Sequence, residues 1–295
     1  MKKSFMADMT LFIVAIVWGS GFVATKVLLD AGIQPFYMMG LRFIIAGIGL
    51  GIIFNKQLFK IKKSDIFNGF IVGFLLFLAF GAQTVGLQFT TPSMNAFLTG
   101  VNVVVVPFLY WAITKKRPDK YAFGAVIICF IGTALLSSGG DMKFGLGEAL
   151  SLLCAFLFAG HIVANGYYVD KTGAIILTFL QMIFASVFSF TTAFTVETFP
   201  DVVSNETWMA IAYVGLVTTM LAFFLQTWAQ KNTTTTKVAI ILSTEVIFGS
   251  LFSVILLGEL LTPNMIMGGI AIFIAIITAE TKWNFLKFKK KTVKI

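Results

Sequence analysis

Two side chains of opposite charge lie deep inside long apolar runs, Arg42 in the run Phe36–Phe54 and Glu245 in the run Thr236–Leu257. Glu245 comes roughly 9 residues, or ~13 Å of helix, into its run, and a carboxylate so placed in hydrocarbon must be paired, hydrated or protonated. It could hold an ammonium group or carry a coupling proton. As a structural alternative it could bond a neighbouring helix, with Asn102 as the expected partner. Arg42 lies about 7 residues, or ~10 Å, from the outer end of its run. Its guanidinium could bind a carboxylate, close an outer gate, or snorkel to the interface as an anchor. His161, the single histidine, could relay protons or sit neutral in a hydrogen bond between helices.

Other polar groups fall in helical register with these. Asn95, Thr99 and Asn102 are spaced i, i+4, i+7, as are His161, Asn165 and Tyr168, so each trio is expected on one helix face. Trp18 could wall a cavity or stack on a cation, or simply pack. Gln83 and Gln226 could bridge helices or touch a bound solute, and Gln181 is a weaker candidate of the same kind. Lys26 is nearer the surface, where snorkelling competes with a role in binding. Cys129 and Cys154 have only apolar neighbours and read as core packing rather than as metal ligands or a disulfide. The chain has no HExxH motif, no Walker loop and a single central carboxylate, so no metal, cofactor or catalytic constellation is expected. A membrane-embedded enzyme is the remote alternative.

The elements that must position these residues follow from composition. The 295 residues are 58% hydrophobic and 12% charged, with a mean hydropathy of +0.93, which places the chain among integral membrane proteins. Ten apolar runs of membrane-spanning length follow one another: Met9–Leu29, Phe36–Phe54, Ile66–Gln88, Ser93–Thr114, Lys120–Ser137, Leu146–Val169, Gly173–Val196, Thr207–Trp228, Thr236–Leu257 and Pro263–Ala279. The first is longer than a signal-peptide core and has no persuasive cleavage site, so it reads as a spanning helix. An all-α protein of ten transmembrane helices, multi-pass in the cell (inner or plasma) membrane, is therefore expected. With the N-terminus cytoplasmic, all of the 22 basic residues except Lys26, Arg42 and Lys143 fall on the inner side. Asp30, Asp141, Glu148, Glu197, Asp201, Glu206 and Glu259 fall on the outer side. That asymmetry predicts both termini in the cytoplasm. The net charge of +9 then reflects topology and contact of the Lys287–Lys294 tail with anionic lipid, and gives no case for nucleic acid.

The chain is also built twice. At an offset of 143, Ala79-Phe80, Gln83-Thr84, Thr90-Thr91 and Ala96 face Ala222-Phe223, Gln226-Thr227, Thr233-Thr234 and Ala239 without a gap, and Asn102 faces Glu245. At 140, Asp8, Ala15, Gly21, Val23, Ala24, Thr25 and Asp30 face Glu148, Ala155, His161, Val163, Ala164, Asn165 and Asp170. At 139, Arg42 faces Gln181. The expected units are a first five-helix repeat over 7–138, a second over 145–281 and a basic cytoplasmic tail over 282–295. Five crossings per unit invert the second relative to the first, which puts a solute site near the bilayer midplane between the halves. The fifth and tenth runs carry no ionisable group between Ala122 and Leu136 or between Met265 and Ile277, so they are expected to face lipid or a second copy in a homodimer. Gly47 with Gly51, and Gly69 with Gly73, permit close helix contact.

Trp18-Gly19-Ser20-Gly21-Phe22 followed by Lys26, then Leu41-Arg42, then Asn95-Ala96-Phe97-Leu98 leading to Pro107, resembles the first half of an EamA-type member of the drug/metabolite transporter superfamily. Thr244-Glu245-Val246 and Leu257-Gly258-Glu259-Leu260-Leu261-Thr262 resemble the matching stretch of its second half. The likeness runs from about Ala7 to Glu280. It implies a ten-helix, inverted-repeat secondary carrier with a central cavity, working by alternating access and commonly exporting amino acids or related metabolites. Many members have proline directly after the glutamate of the ninth helix, and this chain has Val246. The expected partners are a small-molecule substrate, coupling protons and the bilayer. The 33 phenylalanines would also suit a multidrug or lipid-like cargo.

Overall fold

A computed structural model describes residues 2–115, 117–137, 144–200, 202–233, 238 and 241–281, and all regular structure among them is helical. The expected basic tail over 282–295, with Lys116, Asp141, Lys143, Asp201 and Lys237 of the charged loops, lies outside the described residues. The helices are α1 (Lys2–Asp30), α2 (Pro35–Ile53), α3 (Asn55–Leu58), α4 (Lys63–Leu87), α5 (Pro92–Thr99), α6 (Asn102–Thr114), α7 (Lys120–Ser137), α8 (Leu146–Thr172), α9 (Ala174–Val196), α10 (Asn205–Tyr213), a π-helical stretch Val214–Leu221 that runs into α11 (Ala222–Asn232), α12 (Glu245–Leu257) and α13 (Pro263–Thr281). Among the described residues, seven stretches are long and apolar enough to cross a membrane, two of them the continuous runs Pro92–Ile113 and Asn205–Asn232. Three shorter apolar helices, Lys120–Leu135, Glu245–Leu257 and Pro263–Thr278, occupy the other expected runs.

Helix ends are written into the sequence by proline and by left-handed residues. Pro35 and Pro92 open α2 and α5, where a missing N–H costs nothing. Gly32 and Gly173, both at φ +86°, follow α1 and α8. Lys115 at φ +60° and Gly258 at φ +66° follow α6 and α12. Each pair sits at matching places in the two halves, so the internal repeat extends to the backbone.

Carboxylates from distant loops satisfy donors at the same two helix starts. Glu197 accepts from the backbone N–H groups of Phe36 and Tyr37, both at 2.8 Å. Glu259 accepts from Ser93 through its backbone N–H at 3.3 Å and its hydroxyl at 2.8 Å, and from the Ser253 hydroxyl. A negative group at a helix start meets free N–H donors and the positive end of the helix dipole, and in an apolar surround the unpaired donors would otherwise be costly.

Packing brings the two halves into one body. α4 lies against α8 and α9, α2 against α9, α1 against α11 and α12, and α7 against α13. Small residues set how closely α4 and α9 approach. A Cβ on Gly69 would land on Leu180, and one on Gly73 would come 2.9 Å from the carbonyl oxygen of Gln181. This is the close contact that the glycine spacing predicts. Buried Phe43, Phe80, Met182 and Phe223 form the cluster where helices of both halves meet.

The fourth and ninth runs are not uniform helices. At Gly100–Val101 the bonding tightens to an i to i−3 pattern, with the N–H groups of Val101 and Val104 reaching the carbonyls of Leu98 and Val101 at 3.2 and 3.0 Å. The equivalent place, 143 residues on, repeats it: Thr244 and Val246 reach Ile241 and Ser243, both at 3.2 Å. The two tightened turns touch, since a Cβ on Gly100 would lie 2.5 Å from Val246 Cγ2. Asn102 and Glu245 are thereby each the first residue of a helical segment that starts inside the apolar run.

Candidate functional site

A cavity with about 680 Å³ of free space, its open side included, lies between the halves. α1 contributes Trp18, Gly21, Phe22 and Thr25, and its repeat mate α8 contributes Phe158, His161 and Ile162. Phe80 and Gln83 of α4 are matched by Phe223 and Gln226 of α11, and Asn102 of α6 by Glu245 of α12. Six pairs of repeat-related residues thus line one space: Trp18 with Phe158, Gly21 with His161, Phe22 with Ile162, Phe80 with Phe223, Gln83 with Gln226, and Asn102 with Glu245. Five of these side chains are the large aromatics Trp18, Phe22, Phe80, Phe158 and Phe223. The cavity is therefore an aromatic box with polar groups at a few points.

Arg42 reaches this box from α2. It is 4% exposed, and its guanidinium lies over the ring of Phe80 at 4.3 Å. Its Nε donates to Thr219 Oγ1 at 2.8 Å and its Nη2 to Thr218 Oγ1 at 3.2 Å. No carboxylate among the described residues pairs with it. The expected anchor at the interface is therefore replaced by an inward-turned cation held by neutral groups. Glu245 is 6% exposed and lines the same cavity without a hydrogen bond to Asn102, its expected structural partner. The two buried ionisable groups of opposite sign share one chamber.

His161, 1% exposed, meets Gln181 with Nε2 and Oε1 2.8 Å apart. Gln181, the repeat mate of Arg42, is thus committed to the histidine, and its Nε2 has no partner. Trp18 walls the cavity, its ring 4.9 Å from that of Phe223 and its indole N–H donating to the carbonyl of Thr218 at 3.0 Å. Gln83 donates to Thr99 Oγ1 at 3.3 Å. Gln226 is buried with its Oε1 unpartnered.

Two candidates stand apart from the cavity. Lys26 pairs with Asp30 one turn along α1 at 3.0 Å, as its position near the helix end favours. Asn165 turns away to donate to Gln230 Oε1 at 2.7 Å and Thr227 Oγ1 at 3.4 Å, while Gln230 Nε2 donates to the carbonyl of Ile162 at 2.8 Å. The polar stripes expected on the fourth and sixth runs are likewise divided. The tightened turn at Gly100 leaves Asn102 in the cavity, while Asn95 bonds Ser151 at 2.8 Å and Thr99 sits between Gln83 and Cys154. Tyr168 packs beside the cluster of Val72, Val169, Ala174 and Leu177.

Thr218, Thr219 and Gln230 were not singled out by sequence. Gln230 could have been found as one turn beyond Gln226 on the same helix face. Two adjacent threonines in an apolar run give no such signal.

Known proteins share this architecture. One solved crystal structure superposes with a TM-score of 0.69 at 15% identity, covering 97% of this chain and 99% of its own, and so shares the fold. A protein of Archaeoglobus fulgidus named as an uncharacterized transporter is 34% identical over 281 residues, 95% of this chain and 87% of the relative. An S-adenosylmethionine/S-adenosylhomocysteine transporter of Chlamydia muridarum is 22% identical over about half of each chain. The EamA-like transporter family matches at residues 5–138 and again at 145–280. A cavity walled by repeat-related pairs is what such a doubled domain would build, and with both copies matched the chain belongs to the EamA-like transporter family, as a multi-pass membrane transporter and not an enzyme.

Proposed function

We propose that the protein is a secondary carrier that exports a small amino-acid-like metabolite by alternating access, with Arg42 taking the carboxylate and Glu245 the ammonium group. The observation that carries this reading is the pair of buried ionisable groups of opposite sign lining one cavity, neither matched by a charged group among the described residues. An unpaired ion in such a site costs several kcal/mol, and a zwitterion would neutralise both at once. Asn102, Gln83 and Gln226 would add hydrogen bonds, Trp18 and the phenylalanines apolar cover, and His161 a relay for coupling protons. The name of the Chlamydia relative points the same way, since both compounds in it carry an α-amino acid group.

The proposed setting is ten crossings in two inverted halves, with both termini cytoplasmic. The doubled family match and the repeated left-handed helix ends support the two halves. The crowding of basic residues into alternate loops supports the orientation. Single cysteines at Ser204 and Lys62 would then label from outside and inside respectively, and the reverse pattern would sink the inverted arrangement.

The aromatic box favours a second reading, an amphipathic or drug-like cargo held through its apolar body. Counterflow in proteoliposomes separates the two. Competition by amino acids but not by their amides or by amphipathic cations supports the zwitterion, and competition by cations alone ends it.

A further inference from the structure

The π-helical stretch Val214–Leu221 does something that an α-helix of the same sequence could not. Its register places one carbonyl, that of Val214, within reach of two successive hydroxyls, Thr218 Oγ1 at 2.9 Å and Thr219 Oγ1 at 2.7 Å. With both hydroxyl protons committed to Val214, the oxygens of Thr218 and Thr219 are left as acceptors, and Arg42 donates to both. At the end of the stretch the N–H of Ala222 is shared between the carbonyls of Thr219 and Val217 and skips that of Thr218, which accepts the indole N–H of Trp18. π-helical turns are rare and gather at functional sites. This one binds both a cation and an aromatic wall of the cavity.

The geometry accounts for the sides of the guanidinium one by one. Its face rests on Phe80, and its Nε–Nη2 edge is taken by the two threonines. The remaining edge, from Nη1 to the second hydrogen of Nη2, has no partner among the described residues. Two parallel N–H donors on a planar fork match the two oxygens of a carboxylate. We infer that Thr218 and Thr219 are specificity-determining positioning residues, which lock Arg42 so that its end-on edge alone meets the cargo and selects a carboxylate over a neutral carboxamide. The inference rests on the proposal that Arg42 binds the cargo carboxylate, and it adds that the selectivity is set through the arginine by two threonines, of which Thr218 also lines the cavity. A flexible arginine would also bind anions, but a fork fixed before binding loses less freedom on closing.

The test uses the full-length protein in nanodiscs. The tightest binder among the twenty amino acids is found by calorimetry, and its carboxamide is measured beside it in the parent, Thr218→Val, Thr219→Val, the double valine variant, Thr219→Ser and Arg42→Gln. Valine keeps the shape and removes the acceptor. The expected result is a loss of roughly tenfold or more in the carboxylate-to-carboxamide affinity ratio for the double variant, with amide binding changed far less than acid binding and the ratio retained by Thr219→Ser. Equal weakening of acid and amide, or a parental ratio in the double valine variant while Arg42→Gln abolishes it, overturns the positioning role and leaves Arg42 in place. A parental ratio in Arg42→Gln, or no amino acid bound by the parent, overturns the functional reading itself.

Discussion

Where the first half turns Thr25 and Leu87 towards the cavity, the second half has Asn165 and Gln230 joined at 2.7 Å and turned away from it. These positions are repeat mates. The first pair lines the cavity. The second is an amide pair that also holds the backbone of Ile162 and the hydroxyl of Thr227. The same contrast runs through the charges: Arg42 faces Gln181 across the repeat, and Asn102 faces Glu245. A doubled fold thus supplies a symmetric aromatic box, and a few substitutions between the copies supply polarity and a direction. In the proposed inverted arrangement, identical halves would give a chamber with no preference for either end.

The largest effects are expected from erasing the charge differences. Arg42→Gln gives the first half the residue of the second and should weaken amino-acid binding by roughly 2–5 kcal/mol if the site is dry, and by less if water enters. Calorimetry on the purified protein reads this, and an unchanged affinity would return Arg42 to a structural role. Glu245→Gln should leave the protein folded in the membrane while uncoupling uptake from an imposed pH gradient. Undiminished gradient-driven transport in that variant removes Glu245 from the coupling.

An intermediate effect is expected at the amide pair of Asn165 and Gln230. Gln230→Leu gives the second half the residue of the first, removes the nearer of the two acceptors of Asn165 and costs about 1–3 kcal/mol for the weakly met donor. Opening there should follow. Measured on a background without Cys129 and Cys154, an Ile162→Cys variant should react several-fold faster with a membrane-impermeant maleimide from the cytoplasmic side once Gln230 is leucine. Equal rates with and without the change would make the amide pair ordinary packing.

The smallest effect concerns the backbone. Lys115 holds at φ +60° the place that Gly258 holds at φ +66°. A side chain there costs roughly 1 kcal/mol, so Lys115→Gly should raise the melting temperature slightly, and Gly258→Lys should lower it. Opposite shifts would mean that the lysine side chain contributes more than its conformation costs.

Much of the site was legible in the chain because it depends on local sums. A run such as Phe36–Phe54 is apolar whatever surrounds it, so a lone Arg42 or Glu245 inside one stands out. The ungapped offset of 143 then placed Phe80 and Gln83 opposite Phe223 and Gln226, and all four line the cavity. Of the candidates, Trp18, Arg42, Gln83, Asn102, His161, Gln226 and Glu245 do so, and Lys26, Asn165 and Gln181 do not. Asn165 was assigned by its spacing from His161, which fixes a helix face but not the neighbour that the side chain meets.

The sequence by itself determined the membrane class, the doubling and the polar residues confined to apolar runs, because hydrophobicity, repetition and length are properties of contiguous segments. Tertiary structure alone decided which way those polar groups turn. The acceptors for Arg42 come from Thr218 and Thr219 and those for Asn165 from Thr227 and Gln230, all more than 60 residues away in the chain. The π-helical register and the tightened turns at Gly100 and Thr244 are set in the same way. In an apolar surround each polar group goes to whichever partner the packing brings within about 3 Å, and no periodicity in its own segment encodes that partner.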